Sequence, residues 1–442
     1  MGRFVKKRGK PPTSALLLPL LLLLLLPLLH PPSAEPTNTP FIHPSVPLLL
    51  ETGPATVFVV ATDLPPGLSV KQVWRFGKML VAEAEARSMQ QLLQPGVVSV
   101  YPEAAVTHPD VASTQPPAGF DVKLKVHEPS GLWCGRNVTV AVIDTGVDYL
   151  HPDLSHAIRV LVSTVVVTKK GSPLTWIVGV NGSLQEAWYF DSWIKENTGI
   201  YAWMDVNGHG THVAGIIASR SGEYPGLAPC ANLIVVKAFD GGAGGFKQVL
   251  SALEWVYRNA ELYGIRVLSL SWGAAVPSDG RDPLSVACDE ISRKNVLVFA
   301  AAGNMGNVPN TILAPAAART VYAVGAWDGY QQKIAPFSSL GPTVDGRMKP
   351  DIYAAGVMVV STRSRFSAVG IAVGDRYAAL SGTSMAAPAA AACAASFIEM
   401  YTAWKGHPPS RREWESYLLF NSQRFNPLFK DFVTGLGLVK CP

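Results

Sequence analysis

Five short apolar runs recur through the C-terminal two thirds of the chain and alternate with stretches of helical character. Near-continuous apolar runs are typical of strands that are buried on both faces of a sheet. Because these runs alternate with helices, the pattern predicts an α/β fold with a doubly wound, mainly parallel sheet. The predicted strands are Val138–Ile143, Leu233–Lys237, Val267–Ser271, Val296–Ala302 and Val321–Gly325.

A smaller unit precedes this region. Thr56–Ala61 and Val97–Val106 have the β-branched composition of strands, whereas Val70–Leu93 has helical spacing. The pattern therefore predicts a small α+β unit of the β–α–β type, followed by a Pro-, Thr- and Ser-rich linker over residues 107–120. The apolar face of the predicted helix consists of Trp74, Met79, Leu80 and Ala84.

Residues 155–203 fit the alternating scheme poorly. They are rich in Asn, Gly, Ser and aromatic residues. We interpret this stretch as a surface insertion in the larger domain.

The N-terminus has the pattern of a secretion signal. Basic residues in the first ten positions precede an apolar run over Ala15–Leu29, which is shorter than the roughly 20 residues that span a bilayer. We expect a signal peptide over residues 1–34, cleaved after Ala34, and a retained signal anchor is the alternative. No later segment is apolar enough to cross a membrane, so we expect no stable span in the mature form.

Composition narrows the possible functions. The apolar fraction is 48% and the charged fraction is 16%, which are values of a globular protein. The formal net charge of +5 is small for 442 residues. Because no basic stripe with interleaved aromatic residues is present, nucleic acid is not expected as a partner.

The chain has five cysteines, so at least one is free or pairs outside the chain. Their spacing fits no zinc pattern. We interpret Cys393, in an alanine-rich helical stretch, as a buried free thiol. A bond between Cys134 and Cys441 would join the two ends of the larger domain, although sequence does not give connectivity.

Three glycine-rich motifs carry the candidate chemistry. Val140–Val147 contains Asp144, Gly208–Gly215 contains His209, and Gly382–Pro388 contains Ser384. Nucleophilic acyl transfer uses these three side chains, and Asp, His, Ser is one of the known chain orders of the catalytic triad.

Each member of this set also has a simpler interpretation. Asp144 could be a turn aspartate and Ser384 a helix N-cap. His212, one turn after His209, competes for the role of general base. We assign that role to His209, because a glycine flanks it on each side, and interpret His212 as structural. Asn304, which follows the strand Val296–Ala302, could donate to an oxyanion beside Ser384.

These motifs resemble those of subtilisin-family (subtilase) serine proteases, and the resemblance extends over roughly residues 125–440. It implies the subtilisin-like fold, a triad of Asp144, His209 and Ser384, and an oxyanion hole completed by Asn304. By the same resemblance, Ser271-Trp272-Gly273 and Ala301-Ala302-Gly303 form the walls of the primary specificity pocket. Gly244 and Gly245 match the edge strand that pairs with an extended peptide.

The resemblance implies a secreted endopeptidase of broad specificity that is made as a zymogen. Protein or peptide substrates would be its partners. Residues 35–120 would be a propeptide that inhibits the enzyme and assists its folding, with cleavage between 107 and 121, and residues 121–442 the catalytic domain. Catalysis would need no cofactor. Structural calcium is possible, with Asp153 or the pair Asp191 and Glu196 as candidate ligands.

Two alternatives stay open at this point. One is a subtilase fold that has lost catalysis and serves as a binding scaffold. The other is a more selective processing peptidase or an exopeptidase of the same fold. An aminopeptidase needs a carboxylate near the edge strand, and Asp240 is the nearby candidate.

Overall fold

The computed structural model describes residues 40–108, 132–165, 176–179, 184–274, 277–425, 430–431 and 433–442. The predicted signal peptide and all but the first two residues of the predicted linker lie outside these residues. Within the described part of the chain, no helix is both long and apolar enough to cross a membrane.

The N-terminal unit is built around a five-stranded sheet. Its strand order is β1-β5-β2-β4-β3, and all neighbours are antiparallel except the parallel pair β1 and β5. The elements are β1 Phe41–Ile42, α1 Ser45–Glu51, β2 Ala55–Ala61, β3 Ser69–Phe76, β4 Met79–Ala86, α2 Met89–Leu92 and β5 Val97–Pro102.

The helix predicted over Val70–Leu93 is wrong. The segment forms the hairpin of β3 and β4, followed by the single turn of α2. Trp74 and Phe76 are buried and Arg75 between them is exposed, which is the two-residue period of a strand. The burial of these side chains against the rest of the molecule outweighs the local helical spacing. Gly77, with φ +59°, makes the turn.

The remaining elements are the short strand β6, which continues from the N-terminal unit, and the elements of the larger α/β domain. They are β6 Val106–Thr107, β7 Thr139–Asp144, β8 Ile158–Ser163, β9 Trp176–Gly179, α3 Leu184–Thr198, α4 His209–Ala218, β10 Asn232–Lys237, β11 Ala243–Gly244, α5 Phe246–Asn259, β12 Ile265–Leu270, β13 Gly273–Ala274, α6 Pro283–Ser292, β14 Leu297–Ala301, β15 Tyr322–Asp328, β16 Lys333–Ile334, β17 Ile352–Ala355, β18 Val359–Thr362, β19 Ile371–Val373, β20 Tyr377–Leu380, α7 Thr383–Lys405 and α8 Arg411–Asn421.

The central sheet is mainly parallel, as the sequence predicts. Strands β8, β10, β7, β12, β14, β15 and β17 follow one another in this order and are parallel, and β9 and β16 add antiparallel partners at β8 and β15. All five predicted strands are present. The prediction that residues 155–203 form a surface insertion is wrong in part. This stretch begins with β8, which is a strand of the central sheet, and only its later part, with α3, is additional to the alternating scheme.

Apolar side chains on the two faces of the sheet enter different cores. Val140 and Val142 of β7 face the core that contains α4 and α7, whereas Ala141 and Ile143 face the core that contains α5 and α6. Phe58 and Trp74 of the N-terminal sheet belong to the second core. The small sheet is thus packed on α5 and α6 through a shared apolar interior.

Polar contacts join the same two surfaces. The Trp74 indole donates to Ser251 Oγ at 3.0 Å, and the Tyr101 hydroxyl donates to Asp279 Oδ1 at 3.0 Å. Lys247 forms an ion pair with the nearly buried Glu83 at 2.9 Å. Burial in the core and the nearby Asp282 and Asp279 raise the pKa of Tyr101, so this hydroxyl remains a donor.

The cysteine predictions are wrong. Cys134 bonds to Cys230 rather than to Cys441, and Cys393 bonds to Cys441 rather than staying free. Cys288, buried in α6, is the free thiol. The pairing depends on which chain segments the sheet brings together, and the spacing of cysteines along the sequence does not contain that information.

Candidate active site

Asp144 and His209 form the centre of the site. Asp144 ends β7, whose neighbours β10 and β12 lie on opposite sides of it, so it occupies the switch point where ligands collect in open α/β sheets. His209 begins α4, directly after Gly208 with φ +106°. Its Nδ1 lies 2.7 Å from Asp144 Oδ1, and both side chains are fully buried. Because a carboxylate accepts, Nδ1 carries the proton and Nε2 is left with a lone pair.

The charge on Asp144 is stabilised by its neighbours. Burial alone would raise the pKa of this carboxyl, but the His209 and His108 imidazoles beside it outweigh burial and hold its pKa below the usual range. The Thr145 N–H also donates to Oδ1 at 2.8 Å. Asp144 is therefore an anion at neutral pH and can stabilise an imidazolium at His209.

A second buried carboxylate, Asp205, orders the residues around this pair. Its Oδ1 accepts from Gly208 N–H at 2.8 Å and from Thr145 Oγ1 at 2.9 Å, and its Oδ2 accepts from Thr211 N–H at 2.8 Å. Thr145 Oγ1 in turn accepts from Gly210 N–H at 2.8 Å. Asp205 thereby ties the start of α4 to the end of β7. Sequence analysis missed it, although an aspartate a few residues before a helix is a capping signal.

Ser384 lies in the first turn of α7, where backbone N–H groups have no partner within the helix. It is fully buried, and its hydroxyl donates to the Ser271 carbonyl at 3.0 Å. Ser271 Oγ donates back to the Ser384 carbonyl at 2.8 Å. These two bonds fix the start of α7 against the residue that follows β12.

Asn304 lies beside the residue that precedes Ser384. Its Oδ1 accepts from the backbone N–H of Thr383 at 2.9 Å and from the Thr383 hydroxyl at 2.8 Å. Its Nδ2 is buried and has no hydrogen-bond partner among the described residues. A buried amide donor left unpaired is costly, so this N–H group is available to an acceptor placed beside Ser384.

His212 lies on the same helix but makes different contacts. Its Nε2 lies 3.0 Å from the carbonyl oxygens of Val359 and of Ala378. Those contacts attach α4 to the sheet of β18, β20 and β19, which is the structural role that the sequence suggests.

Two of the predicted substrate-binding residues, Gly244 and Gly273, pair with a segment of the chain itself, which lies in the cleft between their strands. Strand β6 pairs antiparallel with β11 on one side and β13 on the other, and it places Val106 opposite Gly244 and Thr107 opposite Gly273. Gly245 lies outside this pairing, as the N-cap of α5.

The predicted pocket segments lie close to Asp144 and Ser384. The Trp272 side chain is buried away from the cleft, and its indole donates to the Ile143 carbonyl at 2.8 Å, next to Asp144. Ala301 and Ala302 are buried at the end of β14. The N–H of Gly303 donates to Thr383 Oγ1 at 3.2 Å, so this segment reaches the residue before Ser384.

The candidate calcium ligands do not gather into a site. Asp153 accepts from the Tyr377 hydroxyl at 2.6 Å. Asp191 is buried, and it accepts from the Tyr149 hydroxyl and from the backbone N–H groups of Trp203 and Met204, while Glu196 is exposed. The donors around Asp191 are N–H and O–H groups, whereas calcium requires six to eight oxygen ligands. These residues do not fit a calcium ion.

Comparison with known proteins agrees with this geometry. A profile of the "Subtilase family" matches residues 135–424. The chain belongs to the subtilase family. It is 36% identical over 287 residues to "Serine protease AprX" from Bacillus subtilis (strain 168), covering 60% of this chain and 58% of that protein. It is 29% identical over 343 residues to "Subtilisin NAT" from Bacillus subtilis subsp. natto, covering 76% of this chain and 75% of that protein.

This family membership confirms the resemblance that the three motifs indicate. The subtilase family is a family of serine endopeptidases. Subtilisins need no cofactor for catalysis. The matched region contains Asp144, His209, Ser384 and Asn304, and the small N-terminal sheet lies outside it.

The unpaired amide of Asn304 generates a prediction. Asn304→Leu removes the donor and is expected to lower kcat by ~10²–10³, or about 3–4 kcal/mol, with little change in KM; this magnitude is the one known for a donor of subtilisin itself. Steady-state kinetics on a peptide substrate measures both constants. Asn307→Leu, the same change at a nearby exposed position, is the control. Equal kcat values for the two variants would contradict the assignment.

Proposed function

We propose that this subtilase is a secreted serine endopeptidase, made as a zymogen, that cleaves peptide bonds through Asp144, His209 and Ser384. The observation that carries the proposal is the buried hydrogen bond of 2.7 Å between Asp144 and His209 at the carboxyl end of the central sheet. The comparisons support the class of reaction, and the geometry supports the roles proposed for the three residues.

In the proposed reaction, Ser384 Oγ attacks the peptide carbonyl while His209 Nε2 takes its proton. Asp144 holds the imidazole in the required tautomer and stabilises the cation. His209 then protonates the leaving amine, which departs and leaves an acyl-enzyme on Ser384. Water, deprotonated by His209, attacks this ester and releases the second product.

The oxyanion of the tetrahedral intermediate would lie between Asn304 Nδ2 and the first turn of α7. Both supply donors that are already in place, so little reorganisation is needed when the charge forms. The positive end of the α7 dipole adds to this stabilisation.

The small N-terminal sheet would be the propeptide. It packs on α5 and α6 through the shared core, and β6 continues from it into the cleft between β11 and β13. A substrate would add a strand to the same two edges. A chain segment that occupies those edges excludes substrate, so cleavage and release of this unit would activate the enzyme.

The N-terminal signal pattern and the disulfides support secretion. Both disulfides lie in the larger domain, and such bonds persist in oxidising compartments outside the cytosol. The removed segments would be the signal peptide over residues 1–34 and the propeptide that follows it.

Broad specificity follows from a cleft whose edges are small residues. Gly244 and Gly273 contact the bound segment through their backbones, which places few demands on substrate side chains. The aminopeptidase alternative loses support, because Asp240 lies 3.1 Å from Lys237 Nζ and is already paired with a cation.

Self-processing tests the proposed function. The wild-type precursor is expected to shorten during incubation to a chain that starts between 107 and 121, whereas Ser384→Ala stays whole. Mass spectrometry and N-terminal sequencing report the new start. Ser396→Ala, a buried serine of the same helix, is the matched control and should process normally.

Two results would contradict this proposal. If neither protein shortens and an added peptide also stays intact, the chain is a binding scaffold. If wild type and Ser384→Ala shorten alike, a different protease performs the maturation.

Inhibition by β6 yields a second prediction. Val106 is fully buried in the cleft, and Val106→Asp would bury a carboxylate without a partner, at a cost of several kcal/mol. The precursor with this change should gain peptidase activity faster than wild type. Val70→Asp, at an exposed position of the same unit, is the control and should activate at the wild-type rate. Equal time courses for Val106→Asp and wild type would argue against inhibition by this segment.

A further inference from the structure

The side chain of His108, the residue that follows β6, is enclosed beside the catalytic pair. Only 2% of this side chain is exposed. Its ring meets the Phe239 ring edge-on, with centroids 4.5 Å apart and planes at 73°, and its centroid lies 4.3 Å from that of His209. The larger domain thus encloses one side chain of the segment that occupies its cleft.

Both ring nitrogens of His108 face oxygen atoms. Its Nδ1 lies 3.1 Å from the Gly242 carbonyl oxygen, and its Nε2 lies 3.4 Å from Asp144 Oδ1. Because a carbonyl and a carboxylate can only accept, an imidazolium with a proton on each nitrogen satisfies both. Burial opposes the charge of Asp144, but the His209 and His108 imidazoles outweigh it and hold the pKa of this carboxyl below its usual range.

The enclosing groups distinguish histidine from other side chains. Phenylalanine would keep the ring contact with Phe239, but it has no N–H group to donate to Gly242 or Asp144. Lysine carries its charge on a flexible stem rather than on a planar ring. A site whose buried polar groups pair with a substrate N–H discriminates against an analogue that lacks it.

The backbone contacts determine which position of a bound peptide enters this pocket. The His108 N–H donates to the Gly242 carbonyl at 3.3 Å, and the two residues before it pair with β11 and β13. Val106, two positions earlier, is fully buried. A peptide in the same register would therefore place one residue in the position of Val106 and the second residue after it beside Asp144 and Phe239.

Occupation of the pocket leaves the catalytic pair in place. Asp144 Oδ1 lies 2.7 Å from His209 Nδ1 but 3.4 Å from His108 Nε2, so the bond to His209 is the shorter one. A positive charge on the bound histidine opposes the charge that forms on His209 during the reaction. We therefore expect a histidine at this position to lower KM and not to raise kcat.

We propose that Asp144, Phe239 and Gly242 form a subsite for a histidine side chain, and that the enzyme selects peptide segments with histidine two positions after a buried aliphatic residue. The subsite holds His108 in the precursor and a histidine of a protein substrate after processing. The preference among substrates rests on the proposed function, whereas the contact with His108 in the precursor does not.

Hydrogen exchange of the Ser384→Ala precursor tests the subsite without catalysis. His108→Phe, made in this background, keeps a ring and removes both donors. Mass spectrometry is expected to show that the backbone amides of β6 exchange at least 10-fold faster in His108→Phe than in the parent. His407→Phe, at an exposed histidine, is the control and should exchange as the parent does. Equal exchange in His108→Phe and the parent would overturn the subsite.

Cleavage of matched peptides by the processed enzyme tests the preference among substrates. Internally quenched peptides contain Val-Thr-His, Val-Thr-Phe or Val-Thr followed by Nε2-methylhistidine, with the same residues after them. The KM of the histidine peptide is expected to be at least 10-fold lower than that of the phenylalanine peptide, with similar kcat. The methylated peptide, which cannot donate to Asp144, should also have a raised KM. A Val-Ala-His peptide is the control and should have the KM of Val-Thr-His.

The two experiments separate this inference from the proposed function. Equal KM values for the histidine and phenylalanine peptides would refute the preference and leave the peptidase proposal standing. A processed chain that cleaves none of the peptides would refute the peptidase proposal, and hydrogen exchange of the precursor would then decide on the subsite by itself.

Discussion

The arrangement around the site depends on a buried ionic hydrogen bond between Asp144 and His209. A carboxylate without water is costly to bury, so the surrounding structure has to stabilise its charge. The His209 imidazole and the Thr145 N–H do so directly, and Asp205 fixes Thr145 and the start of α4. The bond joins the end of a central strand to the start of a helix, and a small shift of either element would break it.

The edges of two strands beside the Asp144–His209 pair explain why the chain can occupy its own cleft. Strands β11 and β13 leave room for an antiparallel strand between them, and β6 fills that room with its backbone. The N-terminal sheet is attached to α5 and α6 by apolar packing and a few polar bonds, so it positions β6 at the cleft. Release of this unit would expose both strand edges and the Asp144–His209 pair to substrate.

Much of the larger domain could be predicted from sequence, because its buried strands and its glycine-framed motifs are local signals. The hairpin of β3 and β4 could not, since Trp74 and Phe76 become strand residues through packing on α5 and α6. The cysteine pairs, strand β8 and the contact of His108 with His209 depend on distant segments that meet only in the fold. Asp205 lacked a motif of its own, although its capping position was a usable signal.

The central claim is that the buried pair activates Ser384. The most direct measurement is reaction of the processed protein with a serine-directed fluorophosphonate, followed by peptide mapping. A single adduct on Ser384 with loss of peptidase activity is expected, and labelling of the His209→Ala variant is expected to be much slower. Labelling of a different serine, or equally fast labelling of the His209→Ala variant, would contradict it.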